Sequence, residues 1–211
     1  MNFFSILFPQ TVFKTTSKFS GEIKVIDHVF ERRLVVGGLT QSGGITKNMW
    51  EKALSFTRHS GERSETRVPL RFWTSQNDSK RIRNVLILGL GAGTAAEVIN
   101  KKWPEAKIIG VEIDPVIIDV GKKYFQLGGV KNLEIIIADA AGLINNESMK
   151  QWNNQLFDLI IVDLYKGFFI EKNVENKQFL QKIAQTLTKN GFVIFNVITS
   201  QNANFEAKHF L

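Results

Sequence analysis

The sequence predicts an α/β fold, in which a small N-terminal β appendage precedes a doubly wound, mostly parallel sheet. Two observations predict the sheet. Five short apolar runs, rich in β-branched residues, recur between residues 85 and 195, and most are separated by amphipathic segments of helical length. Strands buried on both faces form such unbroken apolar runs, and their alternation with helices is typical of parallel sheets with right-handed crossovers.

The N-terminal part is predicted to form the β appendage and a linking helix. Residues 22–26 and 33–36 have the composition of short strands, and Gly37-Gly38 closes the second one. Residues 50–58 have helical spacing. The predicted division is residues 1–57 for the appendage with its helix, 58–80 for an Arg-rich insertion and 81–211 for the α/β domain.

The α/β domain is predicted element by element. Pro115 suits the first turn of a helix, and Gly191 suits the position after a helix. The predicted strands are 85–88, 107–111, 133–137, 159–162 and 192–195. The predicted helices are 94–102, 115–125, a weaker one around 141–153, and 171–187.

The charge distribution bears on the partners of the protein. The formal net charge is +7; residues 1–83 hold 14 Lys and Arg against 7 Asp and Glu, whereas residues 84–211 hold 13 of each. Much of the excess lies in the Arg-rich stretch, which is either a solvated loop or a surface for nucleic acid. We favour the loop, because no aromatic pattern for stacking bases accompanies these charges.

The composition also restricts the function classes. A hydrophobic content of 44% excludes a mainly disordered chain. The sequence has no Cys, and its three His are His28, His59 and His209, so we expect no metal site. The apolar stretch at residues 3–9 is too short for a membrane span and lacks the features of a signal peptide, so we expect a cytoplasmic protein that does not bind membranes.

Three glycines follow the first predicted strand of the sheet and directly precede a helix. Gly89, Gly91 and Gly93 would let the backbone turn sharply and approach a ligand, and ligands of such Rossmann-like sheets bind beyond the carboxyl ends of the strands. The triplet alone is equally compatible with a tight turn without a ligand. Because Thr94 occupies the sixth position of the G-x-G-x-x-G pattern, the motif does not require a dinucleotide.

Acidic residues end the next three strands. Glu112 lies nineteen residues after Gly93, where a carboxylate accepts hydrogen bonds from both hydroxyls of a ribose. Asp139, followed by Ala140, ends the third strand, and Asp163 ends the fourth. Either aspartate alone could cap a helix or loop. Together with the glycines they predict a nucleoside site along one edge of the sheet.

These motifs resemble a known family. Residues 85–94, 110–115, 138–140 and 157–163 resemble the class I S-adenosylmethionine-binding fold of methyltransferases, and within it the spermidine synthase family. Residues 33–43 also resemble the strand, turn and Gln-containing loop of that family, which ordinary methyltransferases lack. The resemblance covers about residues 18–200, interrupted by the stretch 58–80.

The resemblance implies a transferase that moves an alkyl group, aminopropyl in this family, from an S-adenosylmethionine-type donor to a small-molecule amine, as in polyamine biosynthesis. The donor is S-adenosylmethionine or decarboxylated S-adenosylmethionine. The residues expected to bind it are Gln41, Gly89, Gly91, Gly93, Glu112, Ile113, Asp139 and Ala140.

The chemistry assigns a role to Asp163. A sulfonium donor carries its own leaving group, so the transfer is an in-line displacement that depends on positioning and requires no metal. An alkyl amine with a pKa of about 10.4 is protonated at neutral pH and must lose a proton before it attacks. Asp163 is expected to accept this proton or to orient the amine. Tyr165 is either a hydrogen-bonding wall of the catalytic site or a half-buried aromatic residue.

Two departures from the family pattern leave alternatives open. Polyamine-forming members have an Asp at the position of Ala92 and an acid at the position of Lys166, and both changes remove negative charge. The alternatives are an S-adenosylmethionine-dependent methyltransferase and a nucleoside-binding or scaffold protein without catalysis. Residues 204–211 begin another helical pattern, so the fifth strand would be covered by another chain, by a homodimer partner, or left exposed in a shortened member.

Overall fold

Two main β-sheets and five α-helices make up the described part of the chain. The structure is a computed structural model that describes residues 8–28, 31–55, 82–145, 155–166, 169–170, 174 and 176–196. The Arg-rich stretch 58–80 and the segment 204–211 lie outside these residues. The predicted domain boundaries and the predicted C-terminal helix therefore stay predictions.

The N-terminal sheet has four antiparallel strands, in the order β1-β2-β3-β4. They are β1 (Gln10–Ser17), β2 (Gly21–His28), β3 (Glu31–Val36) and β4 (Leu39–Ser42). The predicted strands 22–26 and 33–36 are the central two. The prediction missed both edge strands, because β1 is largely exposed and Thr-rich and β4 has only four residues. Neither carries an apolar run long enough to indicate a strand.

The linking helix is α1 (Gly44–Ser55). It begins six residues earlier than predicted and buries Trp50 and Leu54. Lys47 forms an ion pair with Glu97 at 2.5 Å, which ties α1 to the first helix of the α/β domain. The predicted end at residue 58 lies outside the described residues.

The parallel sheet confirms the predicted fold class. Its strands are β5 (Asn84–Leu88), β6 (Lys107–Glu112), β7 (Leu133–Ile137), β8 (Phe157–Val162) and β11 (Leu187–Phe195). They run parallel in the order β11-β8-β5-β6-β7. β11 begins five residues before the predicted strand, with an irregularity between Leu187 and Phe192. A short antiparallel hairpin, β9 (Tyr165–Lys166) and β10 (Phe169–Ile170), was not predicted.

Helices connect the parallel strands. They are α2 (Thr94–Lys102), α3 (Pro115–Tyr124), α4 (Ala140–Asn145) and α5 (Lys177–Gln185), with a 3-10 turn at Leu127–Gly129. The helix predicted from residue 171 begins at 177, because the Asn176 side chain accepts the Phe179 N–H at 2.7 Å and caps it. Both faces of the sheet are buried, since Val85 and Ile87 pack in one apolar cluster while Leu86 and Leu88 pack in another. No helix in the described ranges is long and apolar enough to cross a bilayer.

The N-terminal sheet packs on the loop after β5. Four buried side chains of β2 and β3 form one apolar cluster with Ala92, Ile117 and Val120; they are Ile23, Val25, Leu34 and Val36. Asp114 is fully buried beside this cluster, caps α3 by accepting the Val116 N–H, and accepts the hydroxyls of Ser17 and Ser20 in the β1–β2 turn. The N-terminal sheet is therefore fixed against the carboxyl edge of the parallel sheet, where the strands end.

Candidate active site

The loop at residues 89–93, named here the glycine loop, has the backbone geometry that the motif predicted. Gly89, Gly91 and Gly93 have φ angles of 88°, 57° and 94°, a region that L side chains rarely adopt. A Cβ at Gly89 would lie 2.1 Å from the backbone oxygen of Asp163, so this glycine is required for the close approach of two strand ends. A Cβ at Gly91 would meet no atom within 4 Å. The space above Gly91 is therefore open.

Glu112 lies directly beside the glycine loop. Its Oε2 accepts the Gly91 N–H at 2.8 Å, and its Oε1 accepts the Asp114 N–H at 3.1 Å. Burial raises the pKa of Glu112, and these backbone hydrogen bonds oppose the rise. Each carboxylate oxygen has further lone pairs. The side chain is thus held in place and still able to accept hydrogen bonds from a ligand.

Asp163 follows β8 at the same edge. Its N–H donates to the Leu88 carbonyl at 2.8 Å, and its Oδ1 accepts the Asn196 Nδ2 amide at 2.8 Å. Burial raises the pKa of Asp163 to about 6; the Asn196 hydrogen bond opposes this rise, and the charge of Glu112 adds to it. The ends of β5 and β8 thus meet at the position of Asp163.

Tyr165 is held by a contact that the sequence did not predict. Its hydroxyl donates to the Asn196 carbonyl at 2.5 Å and so joins the segment after β8 to the end of β11. The residue is half-buried. A phenolic oxygen that donates its proton still accepts hydrogen bonds. The role of Tyr165 as a wall of the catalytic site stays a prediction.

Asp139 and Ala140 follow β7. The Asp139 Oδ1 accepts the Ala141 N–H at 3.1 Å, so this exposed carboxylate caps the first turn of α4, which is one of the two roles the sequence left open. The Ala140 side chain is buried between the sheet and its helices, so only its backbone is left for a ligand. Their binding of a nucleoside stays a prediction.

Ile113 and Gln41 complete the predicted set. Ile113 follows Glu112 and is 40% exposed, so it presents an apolar surface beside this carboxylate. Gln41 lies on β4, at a register shift between β3 and β4. The N-terminal sheet that carries it packs on Ala92, within the glycine loop.

Sequence reasoning missed Asn196, although the signal was available. It directly follows the fifth strand of the sheet, at the position equivalent to Asp163 after β8 and Glu112 at the end of β6. Within the described ranges, no cluster of three or more His, Asp or Glu side chains could hold a metal ion. Shallow depressions occur at the opposite edge of the sheet, around Arg83 and Lys107, and contain none of the predicted site residues.

The fold and the strand-end residues define a class I methyltransferase-like α/β protein with a candidate nucleoside site at the carboxyl edge of its sheet. The family follows from the sequence match. Residues 74–210 match the family model of the spermine/spermidine synthase domain, and the chain belongs to this family.

Two relatives agree with this assignment. A polyamine aminopropyltransferase of Vibrio vulnificus is 28% identical over 116 residues, which are 55% of this chain and 38% of the relative. An eEF1A lysine and N-terminal methyltransferase homolog of Drosophila pseudoobscura pseudoobscura is 33% identical over 98 residues, which are 44% of this chain and 14% of the relative. Both relatives are transferases by name.

Two spermidine synthase structures share the fold. The one from Thermotoga maritima has a TM-score of 0.61 and 18% identity, covering 87% of this chain and 56% of its own. A spermidine synthase in complex with the transition state analogue AdoDATO has a TM-score of 0.58 and 19% identity, covering 87% and 55%. The chain thus spans little more than half of these structures and smaller parts of the two relatives above.

Proposed function

We propose that the protein transfers an alkyl group from an S-adenosylmethionine-type donor to an amine, with aminopropyl transfer as the reaction that its family favours. One observation carries the proposal. The Glu112 carboxylate accepts the Gly91 N–H at 2.8 Å, so the ribose-binding acid and the glycine turn meet at one edge of the sheet. Asp163 lies at the same edge, within electrostatic reach of Glu112.

The predicted donor site combines several kinds of contact. Glu112 accepts hydrogen bonds from the ribose hydroxyls, and the exposed face of Ile113 packs on the base. Asp139 and the backbone of Ala140 lie at the end of the next strand, where an adenine edge would be bound. Gln41 belongs to β4 of the N-terminal sheet, and its role follows the family resemblance.

The proposed reaction is a single displacement. The acceptor enters as an ammonium ion and gives one N–H proton to the Asp163 carboxylate. The freed nitrogen lone pair then attacks the carbon attached to sulfur. The new C–N bond forms as the C–S bond breaks. The electron pair of the C–S bond stays on sulfur, so the sulfonium cation becomes a neutral thioether. Asp163 with a pKa of about 6 is ionised at pH 7 and is therefore ready to accept the proton.

Isothermal titration calorimetry with a Glu112 variant tests the donor site. We expect Glu112→Ala to weaken binding of S-adenosylmethionine or its decarboxylated form about 10- to 100-fold, because it removes two hydrogen bonds to a charged acceptor. Glu105→Ala is the matched control, since Glu105 is exposed at the opposite edge of the sheet. Equal affinities of the wild type and Glu112→Ala would contradict the proposed site.

Methyl transfer is the second candidate, and Ala92 favours it. An acid at position 92 would repel the carboxylate of intact S-adenosylmethionine, which the decarboxylated donor lacks. Ala92 instead contributes a buried methyl group to the cluster under the N-terminal sheet. A wild type that binds S-adenosylmethionine at least tenfold more tightly than the decarboxylated form would support methyl transfer over aminopropyl transfer. Binding of methylthioadenosine without turnover of any amine would instead indicate a binding or scaffold protein.

A further inference from the structure

Asn196 makes three contacts at the carboxyl edge of the sheet. Its backbone N–H donates to the Val162 carbonyl at 2.9 Å, and its own carbonyl accepts the Tyr165 hydroxyl at 2.5 Å. Its side-chain Nδ2 donates to Asp163 Oδ1 at 2.8 Å. The backbone of Asn196 is therefore fixed on two sides, and its amide group is aimed at one oxygen of Asp163.

This arrangement makes the two oxygens of Asp163 different. Oδ1 accepts the amide of Asn196, whereas no side chain or backbone group of the described residues donates to Oδ2. A carboxylate rotates freely about its last side-chain bond unless a directional partner holds it. Since an amide N–H holds Oδ1, the rotation of the carboxylate and hence the position of Oδ2 are restrained.

We propose that Asn196 is a positioning residue, which orients the Asp163 carboxylate so that Oδ2 is the oxygen that accepts the proton of the acceptor amine. This inference rests on the proposed function, because it needs an amine that gives up its proton to Asp163. Tyr165 supports the arrangement from the other side by holding the Asn196 backbone.

The electrostatics of the carboxylate provide a readout of this contact. Two described groups oppose each other at Asp163: the Asn196 amide lowers the pKa, and the negative charge of Glu112 raises it. Removing the amide leaves burial and Glu112 in place. The pKa of Asp163 should then rise above its value of about 6 by about one unit, because a hydrogen bond to the ionised form is lost.

The first experiment measures that pKa without any turnover. The carboxyl carbon of Asp163 is followed by NMR across pH 4–9 in protein labelled at aspartate, in the wild type, Asn196→Ala and Asn196→Gln. Asn196→Ala should raise the pKa by about one unit, and Asn196→Gln, which keeps the amide, should return it toward the wild type. Asn100→Ala is the control, because the Asn100 amide donates to Lys131 O, away from the site. Asn196→Leu replaces Asn196→Ala if the latter does not fold.

The second experiment measures transfer to amines at pH 9, where Asp163 is ionised in every variant. Asn196→Ala should lower kcat at least tenfold and leave the KM for the donor within twofold, since orientation is lost while the donor site remains. An unchanged pKa, or an unchanged kcat at pH 9, overturns the proposal. If the wild type transfers its alkyl group to no amine, the proposed function is wrong, and with it the role of Asn196 in proton transfer. A rise of the Asp163 pKa in Asn196→Ala would in that case show only that the contact between the two side chains exists.

Discussion

Asp163→Asn is expected to stabilise the protein at neutral pH, although the proposed function requires the carboxylate. The replacement is similar in size and removes a charge from a position where burial opposes ionisation. In the wild type, Asn196 Nδ2 donates to Asp163 Oδ1 at 2.8 Å. The asparagine of the variant keeps a carbonyl oxygen that accepts this hydrogen bond. The main change is therefore the loss of an unfavourable negative charge.

The magnitude follows from the pKa of Asp163, which rises from 3.8 to about 6 on folding. Below pH 3.8 the carboxyl is protonated in both states, so the wild type and the variant should differ little. Between this pH and about 6 the unfolded chain loses the proton first, so the stability of the wild type falls as the pH rises. Above pH 6 the variant should be more stable by about 3 kcal/mol, at about 1.4 kcal/mol per pKa unit.

Urea unfolding of both proteins at several pH values from 4 to 8 measures this difference. The difference in unfolding free energy between the variant and the wild type should increase from pH 4 to about 6 and become constant above neutral pH. Asp139→Asn is the matched control, because Asp139 is exposed and Asn caps a helix as well as Asp does. A variant that is equally or less stable than the wild type at pH 8 would refute the reasoning.

Two further predictions concern the glycine loop. Gly89→Ala should unfold the protein or destabilise it by several kcal/mol, since the new Cβ would lie 2.1 Å from the backbone oxygen of Asp163. Gly91→Ala should cost only about 1 kcal/mol, because its Cβ meets no atom within 4 Å and only the φ of 57° is unfavourable. Equal stabilities of the two variants in urea unfolding would contradict the close approach at Gly89. Ala92→Asp should cost about 2–4 kcal/mol, because it places a carboxylate in the apolar cluster under the N-terminal sheet. Ala184→Asp, on an exposed face of α5, should cost only about 1 kcal/mol, from helix propensity and the helix dipole. If Ala92→Asp is as stable as this control, position 92 faces open space.

The sequence by itself determined the parallel sheet and the edge at which the candidate site lies. Buried strands such as β5 and β8 are uniform apolar runs, and this signal depends only on neighbouring residues. Because the carboxyl ends of parallel strands lie at one edge, Gly91, Glu112 and Asp163 could be placed together from their positions after three strands. In the structure, Glu112 accepts the Gly91 N–H, and the Asp163 N–H donates to the carbonyl of Leu88 at the end of β5.

The tertiary structure alone decided which partners these residues have. Asn196 contacts Asp163 across 33 positions of the chain, and Ser17 contacts Asp114 across 97, and no local pattern specifies such pairs. The same holds for Ala92, whose methyl group is buried by side chains of β2 and β3. These contacts arise only when the two sheets pack together, since packing depends on the shape and register of distant segments.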